Sequence, residues 1–217
     1  MILSFFMTMN RALKEYIERE IIPLYSYFDK AHNIDHVESV ISRSLSLAQH
    51  YDVDVDMVYT IAAYHDTGLQ YGRELHHLHS GEILASDVQL TNYFTAEQIV
   101  IMREAVEDHR ASSEHTPRTI YGAIVAEADR LIEPLTVIRR TIQYGLSHYP
   151  TLTVEEHFTR CCEHLNEKYG VNGYLKLYIP HSDNAQRLAE LRDIIANPTL
   201  LRSTFDTIFA EQQAADL

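Results

Sequence analysis

Several histidines and an aspartate are predicted to lie on the core-facing sides of separate helices. The chain has 13 histidines among 217 residues, which is a large number for this length. Apolar residues recur at helical intervals beside His36, His65, His109 and Asp129, so each of these side chains faces the core side of its own predicted helix. A buried imidazole or carboxylate is unfavourable unless it is hydrogen-bonded, paired or bound to a metal.

A shared divalent cation is the simplest explanation for several such groups on separate helices, because helical bundles often build metal sites in this way. Nitrogen and oxygen ligands suit Mn, Fe, Co, Ni, Zn or Mg better than a thiophilic metal. Taken singly, an inward histidine is more often bonded to a carbonyl, and an inward aspartate is more often a helix cap or an ion-pair member. The adjacent pair His65-Asp66, at a predicted helix end and followed by Thr67-Gly68, favours the metal interpretation.

The elements that must position these residues are all helices. Apolar spacing, capping patterns and the scarcity of glycine and proline predict an all-α fold with no hairpins. Asn33 is a predicted N-cap, and capping-box patterns begin at Thr95 and at Thr153. Pro134 is expected to end or kink a helix, and the polar stretch Gln70–His76 to separate two. The predicted helices cover approximately Asn10–Phe28, Asn33–Ala48, Val55–His65, His79–Val88, Thr95–Val106, Pro117–Ile132, Thr153–Tyr169, Asp183–Ala196 and Pro198–Ala214.

Composition narrows the class of protein. With 46% hydrophobic and 23% charged residues, the chain is typical of a globular domain, and a formal net charge of -13 argues against binding to duplex nucleic acid. The adjacent Cys161 and Cys162 form neither a disulfide framework nor a zinc-thiolate pattern, which favours a reducing, cytoplasmic location. The apolar run Met1–Met7 is too short for a signal sequence, Met7 or Met9 could be the true start, and no membrane span is expected.

Three segments resemble the motifs of the HD-domain superfamily of metal-dependent phosphohydrolases. They are Ala31–Val40, with His36; Ala62–Leu69, with the His65-Asp66 doublet; and Glu127–Leu131, with Asp129. The resemblance implies a single domain over residues 1–217: a helical bundle with its core at about 29–133 and a C-terminal helical extension at about 147–217. It also implies hydrolysis of a phosphoester or phosphoanhydride, and a metal held by His36, His65, Asp66 and Asp129.

Two further segments resemble the additional histidines of binuclear members of this superfamily. They are His76–Leu84 and Glu107–Arg110. His77 matches the first by its spacing to Gly81, with His76 a close alternative, and His109 matches the second. If both bind, two ions are held per chain and Asp66 bridges them; if they do not, one ion is held. The alternative is that these histidines bind substrate phosphate or line the cleft beside a single ion.

The weaker candidates are residues that could contact the substrate or support a ligand. Arginine suits phosphate oxygens because its guanidinium can donate two parallel hydrogen bonds, although most arginines lie on solvated faces. His32 precedes the first motif and is a candidate for orienting a ligand or contacting substrate. The full group is His32, His76, Arg110 and Arg130.

The resulting hypothesis is a metal-dependent phosphohydrolase acting on a nucleotide or another small phosphorylated substrate. Asp66 is the expected catalytic residue, which would ligate the metal and orient the attacking water or accept its proton. A di-iron oxygenase of the same fold and a non-catalytic metal or nucleotide sensor stay open as alternatives. Residues 147–217 could cover the site or form a homodimer interface.

Overall fold

The computed structural model describes residues 9–29, 32–112 and 115–215. These residues form α-helices and short 3₁₀ helices and contain no β-strand, so the all-α prediction is confirmed. The α-helices are α1 (Arg11–Glu20), α2 (Ile34–Ala48), α3 (Val55–Tyr64), α4 (His76–Ser86), α5 (Ala96–Glu107), α6 (Ile120–Asp129), α7 (Pro134–His148), α8 (Val154–Tyr169), α9 (Asn184–Ala196) and α10 (Pro198–Ala215). The 3₁₀ helices are Ile22–Tyr27, Thr67–Tyr71 and Val88–Asn92.

Side-chain caps explain where several helices begin. Asn33 accepts a hydrogen bond from the His36 amide at 3.0 Å and starts α2. Thr95 and Thr153 each form the reciprocal capping box expected from the sequence, with Gln98 and Glu156 respectively. These local signals were readable because both partners lie within one turn.

Other predicted boundaries were wrong. The first helix ends at Glu20 instead of Phe28, because a 3₁₀ helix containing Pro23 follows it and proline cannot continue an α-helix. α6 begins at Ile120, with Thr119 as its cap, and not at Pro117. α6 ends at Asp129, before Pro134 is reached. Pro134 is in the first turn of α7, a position that was not predicted.

The start of α4 differs most consequentially from the prediction. This helix begins at His76, three residues before the expected His79, and no side-chain cap at Leu75 marks the position. The difference brings His76 and His77 into the first helical turn, so their side chains point in different directions around the helix axis.

The described residues separate into two compact units. One contains the chain up to Arg130 together with Tyr178–Ser182, and the other contains Leu131–Leu177 with the residues from Asp183 onward. The prediction of a single domain stays a prediction. The apolar run at Met1–Met7 lies outside the described residues, and no described helix is long and apolar enough to cross a bilayer.

The first unit is built around a continuous apolar core. In it α2 packs on α3 and α6, and α5 packs on α4 and α6. Fully buried side chains from α1, α3, α4, α5 and α6 fill the core of this unit, including Leu13, Val58, Leu84, Val106 and Ile124. The ends of α3, α5 and α6 and the first turns of α2 and α4 are therefore fixed by packing, which gives the side chains at those ends defined positions.

Candidate metal centre

Three helix termini place the first group of predicted ligands together. His36 is in the first turn of α2, His65 and Asp66 follow the last residue of α3, and Asp129 is the last residue of α6. His36 Nε2 lies 3.2 Å from His65 Nε2, 3.5 Å from Asp66 Oδ2 and 3.4 Å from Asp129 Oδ1. His65 Nε2 lies 3.1 Å from Asp66 Oδ2.

A second group shares Asp66 with the first. His76 Nε2 and His109 Nε2 are 3.1 Å apart, and each lies 3.4 Å from Asp66 Oδ1. Two ligand atoms at about 2.1 Å from one metal lie about 3.0 to 3.4 Å apart for bond angles between 90° and the tetrahedral value. The atoms of His36, His65 and Asp66, and those of Asp66, His76 and His109, lie close enough together for one ion per group. Asp129 Oδ1 is farther away, at 3.9 Å from His65 Nε2.

The two oxygens of Asp66 therefore face different histidine pairs. Oδ2 faces His36 and His65, while Oδ1 faces His76 and His109. The groups His36–His65–Asp66 and Asp66–His76–His109 could each hold a metal ion. Such an arrangement allows one carboxylate to bridge two ions.

The hydrogen bonds of the histidines prepare them to be ligands. The Nδ1 atoms of His65, His76 and His109 lie 2.8, 2.8 and 2.6 Å from the carbonyl oxygens of Ala62, Arg73 and Val106. Because a carbonyl oxygen can only accept, each Nδ1 carries the proton, and Nε2 of the neutral ring presents its lone pair to the group. Two lone pairs and a carboxylate oxygen that face one another repel unless a cation or a proton lies between them, so the donor set fits a metal.

The electrostatics of the metal-free site agree with this assignment for the two carboxylates and His76, whereas His65 is favoured in its protonated form and would release a proton on binding a metal. Burial raises the pKa of Asp66 and of Asp129, but the charge of His65 and its histidine neighbours outweighs it and lowers both, that of Asp66 well below its ordinary value. Burial opposes protonation of His65, yet Asp66 raises the pKa of that imidazole. Burial and the neighbouring His109 lower the pKa of His76 to about 4. At neutral pH both carboxylates are therefore anionic and His76 is neutral, as metal binding requires.

The preference for His77 over His76 needs correction. His76 is the histidine of α4 that reaches Asp66 and His109, whereas the ring of His77 contacts that of His76 at a centroid distance of 5.6 Å. The spacing to Gly81 favoured His77, but adjacent helical residues point about 100° apart, and in the structure it is His76 that lies beside Asp66 and His109. Burial and His109 also lower the pKa of His77 to about 4.

The remaining predicted residues lie around the two groups. His32 is bonded to Asp29 (Nδ1 to Oδ1, 2.8 Å), and its ring meets the His36 ring edge-on at 5.7 Å. Arg110 donates to the Glu74 carbonyl at 2.6 Å and so joins the end of α5 to the segment before α4. This contact indicates a role in placing His76 beside His109.

Arg130 is buried beside the last turn of α6. Its guanidinium donates to the Ala126 carbonyl and lies 5.1 Å from the centre of the Tyr178 ring. Burial lowers the pKa of Arg130, although the negative charge of Asp129 acts to raise it. The structure therefore pairs this arginine with its own helix and an aromatic ring.

Several supporting residues were missed by the sequence analysis. Asp108, buried beside His109, accepts from the Arg118 amide at 2.6 Å and from Arg118 Nε at 3.0 Å, which anchors the end of α5. Glu127, fully buried on α6, accepts from the Tyr178 amide at 2.8 Å and from Ser182 Oγ at 2.5 Å. No sequence signal could identify these pairs, since their partners are 10 to 55 positions away.

A glycine allows α4 to approach the end of α3. A Cβ atom at Gly68 would meet the carbonyl oxygen of His76 and would lie 2.6 Å from the Ser80 amide nitrogen. The Gly68 amide donates to Ser80 Oγ at 2.8 Å, so the two segments are also hydrogen-bonded. The close contact brings His76 to the same centre as Asp66.

One family model matches part of the chain. Residues 33–133 match the family model of the HD domain. No curated protein is significantly similar to the chain. Among solved structures, the crystal structure of a predicted HD superfamily hydrolase from an uncultured Thermotogales bacterium is 24% identical, with 71% of this chain and 90% of that chain covered at a TM-score of 0.46. All six residues of the two groups lie inside the matched segment.

Proposed function

The chain contains an HD domain over residues 33–133, and from this premise we propose that it is a metal-dependent phosphohydrolase with a binuclear centre. The observation that carries the proposal is the division of the Asp66 carboxylate between two histidine pairs. The first ion would be held by His36, His65, Asp66 and Asp129, and the second by Asp66, His76 and His109.

Divalent ions in such a centre lower the pKa of water and polarise phosphoryl oxygens. The chain's own residues contribute position and charge. Asp66 commits one oxygen to each group, so it orients the reacting centre and is the residue on which both groups depend. The Asp129 side chain is 25% exposed, whereas that of Asp66 is 5% exposed, so Asp129 is the carboxylate more open to water. His32 is the polar side chain against His36 that could contact the substrate at the rim.

The proposed substrate is a nucleotide or another small phosphoester. The formal net charge of -13 disfavours a polyanionic duplex through long-range repulsion, while a small anion can be attracted by the local positive charge of bound ions. The choice among monophosphates, triphosphates and cyclic nucleotides depends on the shape of the pocket around the centre.

The test measures hydrolysis of a panel of such compounds, with the nucleoside, nucleotide and phosphate products separated by chromatography. The protein is first stripped of metal and reloaded with Mn²⁺, Co²⁺, Zn²⁺ or Fe²⁺. Asp66→Ala should abolish turnover, because neither ion keeps its shared ligand. Asp52→Ala, which removes an exposed carboxylate in the same unit, is the matched control and should leave turnover unchanged.

Three results would redirect the assignment. Full activity in Asp66→Ala would contradict it. Oxygen consumption coupled to turnover in the iron-loaded protein alone would favour the di-iron oxygenase. Tight binding of one nucleotide with no turnover under any metal would favour a sensor.

A further inference from the structure

Three carbonyl groups at the end of α3 accept hydrogen bonds from side chains. An α-helix leaves its last carbonyl oxygens without backbone partners, and these must be satisfied in another way when they are buried. Here three consecutive carbonyls, those of Ala62, Ala63 and Tyr64, each accept from a different side chain. The donors are His65 Nδ1 at 2.8 Å, Tyr25 OH at 3.0 Å and Thr67 Oγ1 at 2.8 Å, respectively.

This pattern changes the partner of the Asp66 amide. In a continued helix the Asp66 N–H would donate to the Ala62 carbonyl, but that oxygen accepts from the His65 ring. The Asp66 N–H instead donates to the Tyr25 hydroxyl at 3.2 Å. A single hydroxyl therefore joins the last turn of α3 to the peptide of Asp66.

Packing fixes the position of the Tyr25 side chain, and with it the position of the hydroxyl that accepts from the Asp66 amide. Its side chain is fully buried, and its ring meets Phe28 edge-on at a centroid distance of 5.3 Å and lies 6.1 Å from the His65 ring. Since the two Asp66 oxygens must face different histidine pairs, a small rotation of the Asp66 peptide would withdraw one oxygen from its group.

We propose that Tyr25 is the positioning residue of the bridging carboxylate, holding the Asp66 peptide in the orientation that serves both metals. The inference rests on the proposed binuclear centre. It assigns a role to a residue in the 3₁₀ helix Ile22–Tyr27, outside the segment that matches the HD domain.

The experiment compares Tyr25→Phe with Tyr16→Phe in the full chain. The Tyr16 hydroxyl donates to Asp87 Oδ2 at 2.6 Å, so its removal also deletes side-chain hydrogen bonding in the same unit but none at Asp66. Mn²⁺ is titrated into each metal-free protein, with bound ions counted and the exchange-coupled pair followed by electron paramagnetic resonance. Thermal unfolding of each variant supplies the stability reference.

The expected result for Tyr25→Phe is a second Mn²⁺ bound about tenfold or more weakly, with a reduced coupled signal, as for other residues that orient ligands. Tyr16→Phe should bind both ions as the wild type does. Unchanged binding and coupling in Tyr25→Phe, or an equal loss in Tyr16→Phe, would overturn the inference while leaving the binuclear proposal standing. A wild type that binds fewer than two ions would overturn both.

Discussion

The Nε2 atoms of His76 and His109 lie 3.1 Å apart, although the two residues are 33 positions apart in the chain. Each Nδ1 is bonded to a carbonyl oxygen, and both Nε2 atoms face Asp66 Oδ1. Two neutral imidazoles in this arrangement repel each other, so the pair is stable only with a cation or a proton between the rings. The metal content of histidine variants therefore tests which histidine is a ligand.

His76→Ala is expected to lose the second metal, because it removes one of the three ligands of that group. His77→Ala should keep both, since His77 is not among the atoms that converge on Asp66 Oδ1. Elemental analysis of the two variants after equal loading with Mn²⁺ measures the difference. Retention of two ions by His76→Ala, with one by His77→Ala, would restore the assignment made from the sequence.

Gly68→Ala is expected to displace α4 and weaken the second metal group more than the first. The added methyl group would overlap the His76 carbonyl and the Ser80 amide, which are backbone atoms and cannot rotate away. Overpacking of this kind costs about 1–3 kcal/mol of unfolding free energy. Chemical denaturation and Mn²⁺ titration measure the two effects.

The matched control for this variant is Gly145→Ala on α7. There the nearest atoms are the flexible end of the Arg160 side chain, which can move at small cost. Mn²⁺ binding should be unchanged in the control. Equal binding of both ions by Gly68→Ala would show that the contact between α4 and the end of α3 does not set the second group.

The metal-free protein should lose stability as the pH falls from about 6.5 toward 4. The pKa of His77 is about 4 in the folded protein, lowered by burial and His109, against an ordinary value near 6.5 in the unfolded chain. Between these values the unfolded state binds more protons, so the free energy of unfolding decreases with decreasing pH. His76 contributes in the same direction.

His77→Gln isolates one part of this effect. Urea denaturation of wild type and variant at several pH values should show a shallower decline for the variant, because its side chain does not titrate. An identical decline in both proteins would contradict the lowered pKa of His77.

The two adjacent cysteines should differ in reactivity. Burial raises the pKa of the Cys161 thiol to about 12, and Cys161 is 1% exposed, whereas Cys162 is partly exposed. Since the thiolate is the reactive form, iodoacetamide at pH 8 should modify Cys162 and spare Cys161 until the protein unfolds. Mass spectrometry of the digested protein measures the sites, and Cys162→Ser should show no labelling when native. Rapid labelling of native Cys161 would contradict its burial.

Local sequence signals were sufficient for the helical class and for several helix starts. Asn33, Thr95 and Thr153 were predicted as caps and are caps, because both members of each hydrogen bond lie within one turn. The motif order also pointed to the HD domain, since those motifs are short and their residue types are specific.

The tertiary structure decided which side chains meet. Because α4 starts at His76, the side chain of His76 and not that of His77 lies beside Asp66. That start depends on packing of the helix against Gly68 and not on a capping residue. Tyr25 and Asp66 are 41 positions apart, and Glu127 and Ser182 are 55 apart. Periodicity and capping describe interactions within a few residues along the chain, whereas the orientation of a carboxylate between two histidine pairs depends on contacts that exist only after the helices have packed.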